Sequence, residues 1–316
     1  MSEIRKDGAP ISNEDRTEVR RAYDRVLTGT SVRSRFVELD AAGRVHLLEK
    51  GSGPKVVLLH GTGDSAGIFL PLLNELQQVR ALALDRPGNG LSDPVNLPRD
   101  GYRESAVAWL DQILDVLELD TAALLGHSGG GMWALWYALA HPERVERLIL
   151  IGPPALMNTR CPLPMRLAAT PRLGELLSRL LPPSPKSVLQ FAHLAAREGD
   201  TLGRYPDLID LMVALRRDPI ANRVTSEELR VFVSPFALIS PSGFRRRSRV
   251  QPDELRRVAV PTLVMWGEHE RLGSAAVAGA ATELIPHARL EVLPTGHVPW
   301  LGQPAQTAAA VTEFMR

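Results

Sequence analysis

Residues 122–140 read A-A-L-L-G-H-S-G-G-G-M-W-A-L-W-Y-A-L-A, and this stretch decides the fold. It begins with a short apolar run typical of a buried strand, and the run from Met132 onward is typical of a buried helix. Between them the residues fit G-x-S-x-G, a pattern that places a serine at a sharp strand-to-helix turn. The helix dipole favours negative charge at that position. We therefore predict that Ser128 is a nucleophile; a plain glycine-rich turn is the alternative.

Strand and helix patterns alternate on both sides of this stretch. The predicted strands are 34–39, 45–49, 55–60, 79–85, 122–126, 145–151, 262–266 and 289–293, of which the first two form a hairpin. The predicted helices are 13–27, 69–77, 102–117, 132–141, 275–284 and 305–315. Such alternation indicates an α/β protein with a mostly parallel sheet and helices on both faces.

Residues 153–251 interrupt the alternation. They show no convincing strand pattern and are rich in Pro, Leu and Arg, which favours several short helices. We predict an all-helical cap inserted after the sixth strand, over the sheet edge where α/β proteins bind ligands. The predicted domains are an N-terminal helical extension (1–33), a core (34–152 and 252–316) and the cap (153–251).

A serine nucleophile needs an acid and a base, which follow it in that order in this kind of fold. His297 comes just after the last predicted strand, in L-P-T-G-H-V-P-W, and is the candidate base. A histidine in a surface loop is the alternative. The segment T-L-V-M-W-G-E-H-E-R places Glu268 and Glu270 after an earlier strand. Either carboxylate could hold the imidazole in one tautomer, and the sequence alone leaves the choice open.

The loop His60-Gly61-Thr62-Gly63 follows the first long buried strand. It could direct a backbone N–H at a substrate oxyanion, with the N–H of Gly129 as the second donor. A turn that only starts a helix is the alternative. The loop lacks the Lys-Ser/Thr of a phosphate loop and the spacing of a dinucleotide site. We see no metal or cofactor motif and expect none to be used.

Together these motifs resemble those of the α/β-hydrolase superfamily, in its capped branch with an H-G-x-x loop. The resemblance covers about residues 35–152 and 255–316. It implies the α/β-hydrolase fold, an oxyanion hole completed by the N–H of Thr62, and a purely structural role for the loop D-R-P-G-N-G-L-S-D at 85–93.

Two departures from the family pattern bear on the site. The usual Asp of the family's W-G-x-x-D is Glu270 here, and we expect glutamate to serve because the role needs only a carboxylate at the right distance. Glu268 is the fallback. The residue after the serine is Gly129, where relatives often carry a bulky side chain. From its missing side chain we expect a roomier acyl pocket.

The predicted function is a serine hydrolase that cleaves an ester, a lactone or a related carbonyl compound through an acyl-enzyme. A serine at position 128 disfavours the capped relatives whose nucleophile is an Asp that displaces a leaving group at carbon. Two alternatives stay open, a C–C bond hydrolase with the same triad and a receptor that binds a ligand without hydrolysing it.

The composition limits the classes of molecule that this protein is expected to bind. The 316 residues carry 37 basic and 36 acidic side chains, so the net charge of +1 does not favour nucleic acid. The single cysteine, Cys161, excludes an intrachain disulfide and a cysteine-based zinc site. No run approaches the roughly 18 apolar residues that a membrane span needs. We expect a cytoplasmic protein with a small-molecule substrate, no membrane partner and an oligomeric state that the sequence leaves open.

The cap is expected to supply substrate specificity. Its possible pocket walls are Phe191, Met212, Phe232, Phe236 and Phe244, and Trp300 of the core is a candidate for the pocket mouth. A run of arginines at 245–247 with Arg249 could receive an acidic substrate, although a solvated surface is the usual interpretation of such a run.

Overall fold

The computed structural model describes residues 16–39, 43–154, 156, 158–171, 173–234 and 240–316. The strands of this part are β1 (Arg33–Leu39), β2 (Gly43–Lys50), β3 (Lys55–Leu59), β4 (Arg80–Leu84), β5 (Ala122–His127), β6 (Val145–Ile151), β7 (Thr262–Gly267) and β8 (Ala288–Leu293). They form one sheet in the order β1-β2-β4-β3-β5-β6-β7-β8. Only the pairs β1–β2 and β2–β4 are antiparallel. The predicted mostly parallel sheet is confirmed.

The helices of the described residues follow in chain order. They are α1 (Thr17–Leu27), α2 (Leu70–Glu75), α3 (Tyr102–Val116), α4 (Gly129–Ala140), α5 (Leu163–Ala169), α6 (Leu173–Leu180), α7 (Pro185–Ala196), α8 (Gly199–Leu202), α9 (Pro206–Arg217), α10 (Pro219–Phe232), α11 (Pro252–Arg256), α12 (Ala275–Thr282), α13 (Pro299–Gly302) and α14 (Pro304–Met315). Short 3₁₀ turns connect some of them.

Helices cover both faces of the sheet, which explains why the central strands are apolar throughout. Leu124 of β5 packs in one core cluster with residues of α3, α4 and α12. Leu125, the next residue, points to the other face and packs in a second cluster with residues of α1, α2 and α14. Alternate side chains of one strand thus fill two separate cores.

The inserted segment, residues 153–251, follows the sixth strand and carries α5 to α10. Its described residues contain one isolated β-bridge, between Val233 and Phe244, and no strand of the sheet. The predicted position of the helical insertion is therefore observed. Residues 1–15 of the predicted N-terminal extension, and residues 40–42 between β1 and β2, lie outside the described residues.

The loop 85–93 is organised by a buried carboxylate. Asp85 accepts hydrogen bonds from the Tyr23 hydroxyl (2.6 Å) and from the backbone N–H groups of Ala66 (2.7 Å) and Leu91 (2.8 Å), and it pairs with His46 Nδ1 (2.7 Å). Burial opposes ionisation, but the neighbouring His46 and the hydrogen bonds from His46 and Tyr23 outweigh it and lower the pKa of Asp85. Asp85 therefore joins α1, β2 and the segment after β3.

A buried ion pair joins the start of α1 to the inserted segment. Arg16 Nε lies 3.0 Å from Asp218 Oδ2, and Arg16 Nη1 donates to the carbonyl of Ser92 at 3.0 Å. Asp218 also caps α10 by accepting from the Ala221 N–H. Both side chains are almost fully buried. The pair therefore couples three separate parts of the chain.

We expect Arg16→Met to destabilise the protein by about 3 kcal/mol, because it leaves the Asp218 carboxylate buried without its cation. The matched control is Arg25→Met, which breaks an exposed pair with Asp210 at 3.7 Å and should cost at most about 1 kcal/mol. Thermal unfolding followed by circular dichroism measures both. Equal and small decreases in Tm would show that the buried pair contributes no more to stability than the exposed pair.

Candidate active site

The carboxyl ends of the parallel strands lie at one edge of the sheet. The loop after β3 carries Thr62, the turn after β5 carries Ser128, and the loops after β7 and β8 carry Glu270 and His297. The chain runs outward in opposite directions from β3 and β5, which are neighbours in the sheet. This reversal is the position where open α/β sheets bind ligands.

The turn between β5 and α4 holds Ser128 in a strained conformation. Its φ of 49° and ψ of −122° are rare for a residue with a side chain. The Ser128 N–H donates to the carbonyl of Ile151 in β6 at 2.9 Å. A side chain at Gly130 would collide with the carbonyls of Leu59 and His60, so α4 passes the end of β3 at a distance that only glycine allows.

A short hydrogen bond joins the predicted base to one of the two candidate acids. His297 Nδ1 lies 2.6 Å from Glu270 Oε2, and Glu270 Oε1 accepts from the Leu272 N–H at 3.1 Å. Glu268 is exposed. The geometry thus distinguishes two carboxylates that the sequence alone could not tell apart. In the described residues no hydrogen bond joins Ser128 to His297, although both line one cavity; such bonds often tighten only when a substrate is bound.

A second carboxylate, which the sequence analysis missed, holds the histidine loop. Glu198 lies between α7 and α8, and its Oε1 accepts from the Val298 N–H at 2.9 Å. The His297 N–H donates to the carbonyl of Ala196 at 2.9 Å. Burial opposes protonation of His297, but Glu270, and more weakly Glu198, raise its pKa above the usual value. No sequence motif marks Glu198, because its position depends on how the inserted segment packs.

The loop after β3 is fixed by a neutral histidine. Burial and the Arg86 cation lower the pKa of His60 to about 3. The backbone N–H of Arg86 donates to His60 Nε2 at 3.0 Å. His60 Nδ1 therefore carries the proton and donates to the Gly61 carbonyl at 2.8 Å. This bond fixes the backbone immediately before Thr62.

Two backbone amides, the Thr62 N–H at this loop and the Gly129 N–H at the start of α4, have no hydrogen-bond acceptor among the described residues. A Cβ on Gly129 would lie 3.3 Å from Thr62 N and would collide with the Thr62 hydroxyl. It would also lie 3.4 Å from Oε1 of the buried Glu228. A side chain at Gly129 would thus meet the loop of Thr62, which itself lines the cavity; the expectation that Gly129 enlarges the acyl pocket stays a prediction.

The cavity beside Ser128 has a volume of about 120 Å³. Among the predicted pocket walls, Phe191 and Met212 line it, Phe232 and Phe244 are buried elsewhere, and Phe236 lies outside the described residues. Trp300 is buried below the ring of His127, 4.9 Å away, and donates to the Ile68 carbonyl. It does not form the mouth.

The arginine run at 245–249, for which a solvated surface was the usual interpretation and an acidic substrate the alternative, does not line this cavity. Arg245 donates to the carbonyls of Arg230 and Val233, and Arg247 pairs with Asp100 at 2.6 Å. The charged residues that do line the cavity are Asp64, Glu198 and Arg216, besides His297.

Residues 54–302 match the α/β hydrolase fold family, and the chain belongs to this family. A 2-hydroxy-6-oxo-6-phenylhexa-2,4-dienoate hydrolase of Burkholderia cepacia is 29% identical over 285 residues, which cover 84% of this chain and 91% of that protein. A 2-hydroxy-6-oxononadienedioate/2-hydroxy-6-oxononatrienedioate hydrolase of Cupriavidus pinatubonensis is 29% identical over 272 residues, covering 82% and 86%.

Solved structures agree with this assignment. The carboxylesterase CesB of Bacillus subtilis has a TM-score of 0.72 at 25% identity and covers 96% of this chain and 98% of the esterase. The predicted fold and the prediction of a hydrolase of this family are confirmed. Among the described residues, no helix combines the length and the apolar character needed to cross a bilayer.

The 2.6 Å contact predicts a measurable proton signal. We expect His297 Nδ1–H to give a proton resonance far downfield of the amide region, because short charge-assisted hydrogen bonds deshield the proton. Glu270→Ala should abolish it, and Glu268→Ala, the matched control, should leave it in place. Loss of the signal in the Glu268 variant alone would reverse the assignment.

Proposed function

We propose that this chain is a serine hydrolase that cleaves an ester, a lactone or a related carbonyl compound through an acyl-enzyme on Ser128. The observation that carries the proposal is the shared cavity: Ser128, on a strained turn, opens into the same space as a histidine that Glu270 holds at 2.6 Å. The cavity is slightly smaller than one of about 150 Å³ that admits benzene. A volume of this size favours short acyl chains.

Each residue has one task in the proposed reaction. His297 takes the proton of Ser128 as Oγ attacks the substrate carbonyl, and Glu270 stabilises the imidazolium that forms. The N–H groups of Thr62 and Gly129 bind the tetrahedral oxyanion, and a donor of this kind lowers the barrier by about 3 kcal/mol. His297 then protonates the leaving group, and water repeats the sequence on the acyl-enzyme.

C–C bond hydrolysis is a second candidate, favoured by the names of the two relatives that hydrolyse 2-hydroxy-6-oxo dienoates or dienedioates. The same serine, histidine and oxyanion donors would act on a ketone, and the leaving group would be carbon. Comparing the turnover of simple aryl esters with that of vinylogous diketones discriminates the two candidate functions.

We expect p-nitrophenyl esters to show a burst of p-nitrophenol whose size matches the enzyme concentration, because an acyl-enzyme that forms faster than it is hydrolysed accumulates. Ser128→Ala should lose about 10⁶-fold in kcat, or fall to the detection limit, while staying folded. A fluorophosphonate probe should add its mass at Ser128. Turnover retained in the Ser128 variant would overturn the proposal, and a folded wild type that the probe does not label would favour a ligand receptor.

The electrostatics of His297 predict a pH profile. Only the neutral imidazole accepts the serine proton, so kcat/KM should rise with pH through the pKa of His297, which lies above the usual 6.5. Glu198→Gln keeps an acceptor for the Val298 N–H but removes the charge, so the rise should move to lower pH. Glu198→Ala, which also removes the acceptor, should in addition lower the plateau. An unmoved profile in Glu198→Gln would show that Glu198 acts only by packing.

A further inference from the structure

One end of the cavity beside Ser128 carries a cation without a direct partner. Arg216, near the end of α9, lines the cavity together with Ser128 and His297. Its guanidinium carbon lies 4.9 Å from the ring centroid of Phe191. In the described residues its guanidinium makes no hydrogen bond, and no carboxylate oxygen lies within 4 Å of it.

We propose that Arg216 binds a carboxylate on the substrate, so that the enzyme acts on carbonyl compounds that carry a free carboxylate a few carbons from the bond they lose. This inference rests on the proposed function, because it places the carboxylate in the cavity that holds the reacting carbonyl. Arg216 is a specificity-determining residue and takes no part in the bond-making steps.

The chemistry of the guanidinium favours a carboxylate. It presents planar N–H donors in a fork that matches two carboxylate oxygens. The Phe191 ring attracts the cation and restrains its position, but the ring offers no oxygen to the N–H groups. A half-buried cation with unused donors binds an anion at low cost, because part of its hydration has already been lost on folding.

Asp64 is the alternative partner of Arg216, and the structure disfavours it. The two side chains are more than 4 Å apart, and Asp64 Oδ1 accepts from the Ser65 N–H at 2.9 Å. Burial is the main cause that raises the pKa of Asp64 to about 7, and Asp85 adds to the rise, whereas Arg216 and Arg86 oppose it. Asp64 therefore stays protonated to higher pH than a free carboxyl, which weakens its compensation of Arg216.

The two side chains make carboxylate binding pH-dependent. Protonated Asp64 is a hydrogen-bond donor and can share a substrate carboxylate with Arg216. As pH rises through about 7, ionised Asp64 competes for Arg216 and repels the substrate. Glu198, the other carboxylate of the cavity, uses its oxygens for Val298 and Thr201. Preference for the anionic substrate should therefore fall above neutral pH.

The test compares substrate pairs that differ only in charge. Mono-p-nitrophenyl adipate and its methyl ester place the carboxylate on the acyl side, and 4-acetoxybutanoate and 4-acetoxybutanamide place it on the leaving side. The measured quantity is the ratio of kcat/KM within each pair. We expect the wild type to prefer the anion in at least one pair, and Arg216→Gln to lower that ratio by about tenfold or more, as for a lost hydrogen bond between charged groups.

Two further variants control the result. Arg217→Gln changes the neighbouring arginine, which is exposed and pairs with Glu18 outside the cavity, and should leave the ratio unchanged. Asp64→Asn should keep the preference for the anion and remove its decline between pH 6 and 8, because the amide does not titrate.

The outcomes separate this inference from the proposed function. If the fluorophosphonate labels Ser128 and neutral esters turn over, but the ratios are equal in wild type and Arg216→Gln, carboxylate binding is overturned and the serine hydrolase stands. If Ser128 is not labelled, the proposed function fails. Calorimetry with hexanoate and hexanamide then still tests the carboxylate site. Equal affinity for the two compounds, or an affinity for hexanoate that is unchanged in Arg216→Gln, overturns that site.

Discussion

The structure depends on one strained residue, Ser128, whose positive φ is maintained by the backbone on both sides of it. Such a conformation costs about 1–3 kcal/mol and persists only where the surroundings leave no alternative. Here the Ser128 N–H donates to β6, and Gly130 passes against the end of β3. Apolar strands buried on both faces fix these neighbours. The cost of the strain is thus spread over the sheet, and its result is a hydroxyl that stands above the strand ends.

The inserted segment is fastened to the sheet by three buried carboxylates. Asp218 pairs with Arg16, Glu228 pairs with Arg86 at 2.6 and 3.0 Å, and Glu198 accepts from the loop of His297. Removing one member of a buried pair costs more than the pair contributes, because the other charge stays behind. The segment therefore has few ways to shift without exposing or stranding a charge. Its position determines where the histidine loop and the loop after β3 lie.

Local pattern was enough to predict the sheet and the strand–turn–helix that carries Ser128, since a buried strand, a tight turn and a buried helix are each visible within a few residues. It was not enough to choose between Glu268 and Glu270, which differ only in the direction that a loop gives them. Nor does local pattern show what a side chain at Gly129 would meet, because that depends on a loop from another strand. Glu198 and Arg216 could not be predicted from local pattern either, because helix packing in the inserted segment determines where they lie. The visible arginine run at 245–249 proved to be engaged elsewhere.

A glycine faces the hydrogen bond between His297 and Glu270. Gly152, just after β6, has a φ of 51°, and a Cβ there would lie 2.9 Å from His297 Nδ1 and 3.0 Å from Glu270 Oε2. The hydrogen bond between histidine and glutamate therefore occupies the space that a side chain at this position would fill. This bond is accommodated because a glycine follows β6. The orientation of the imidazole thus depends on a residue that takes no part in the chemistry.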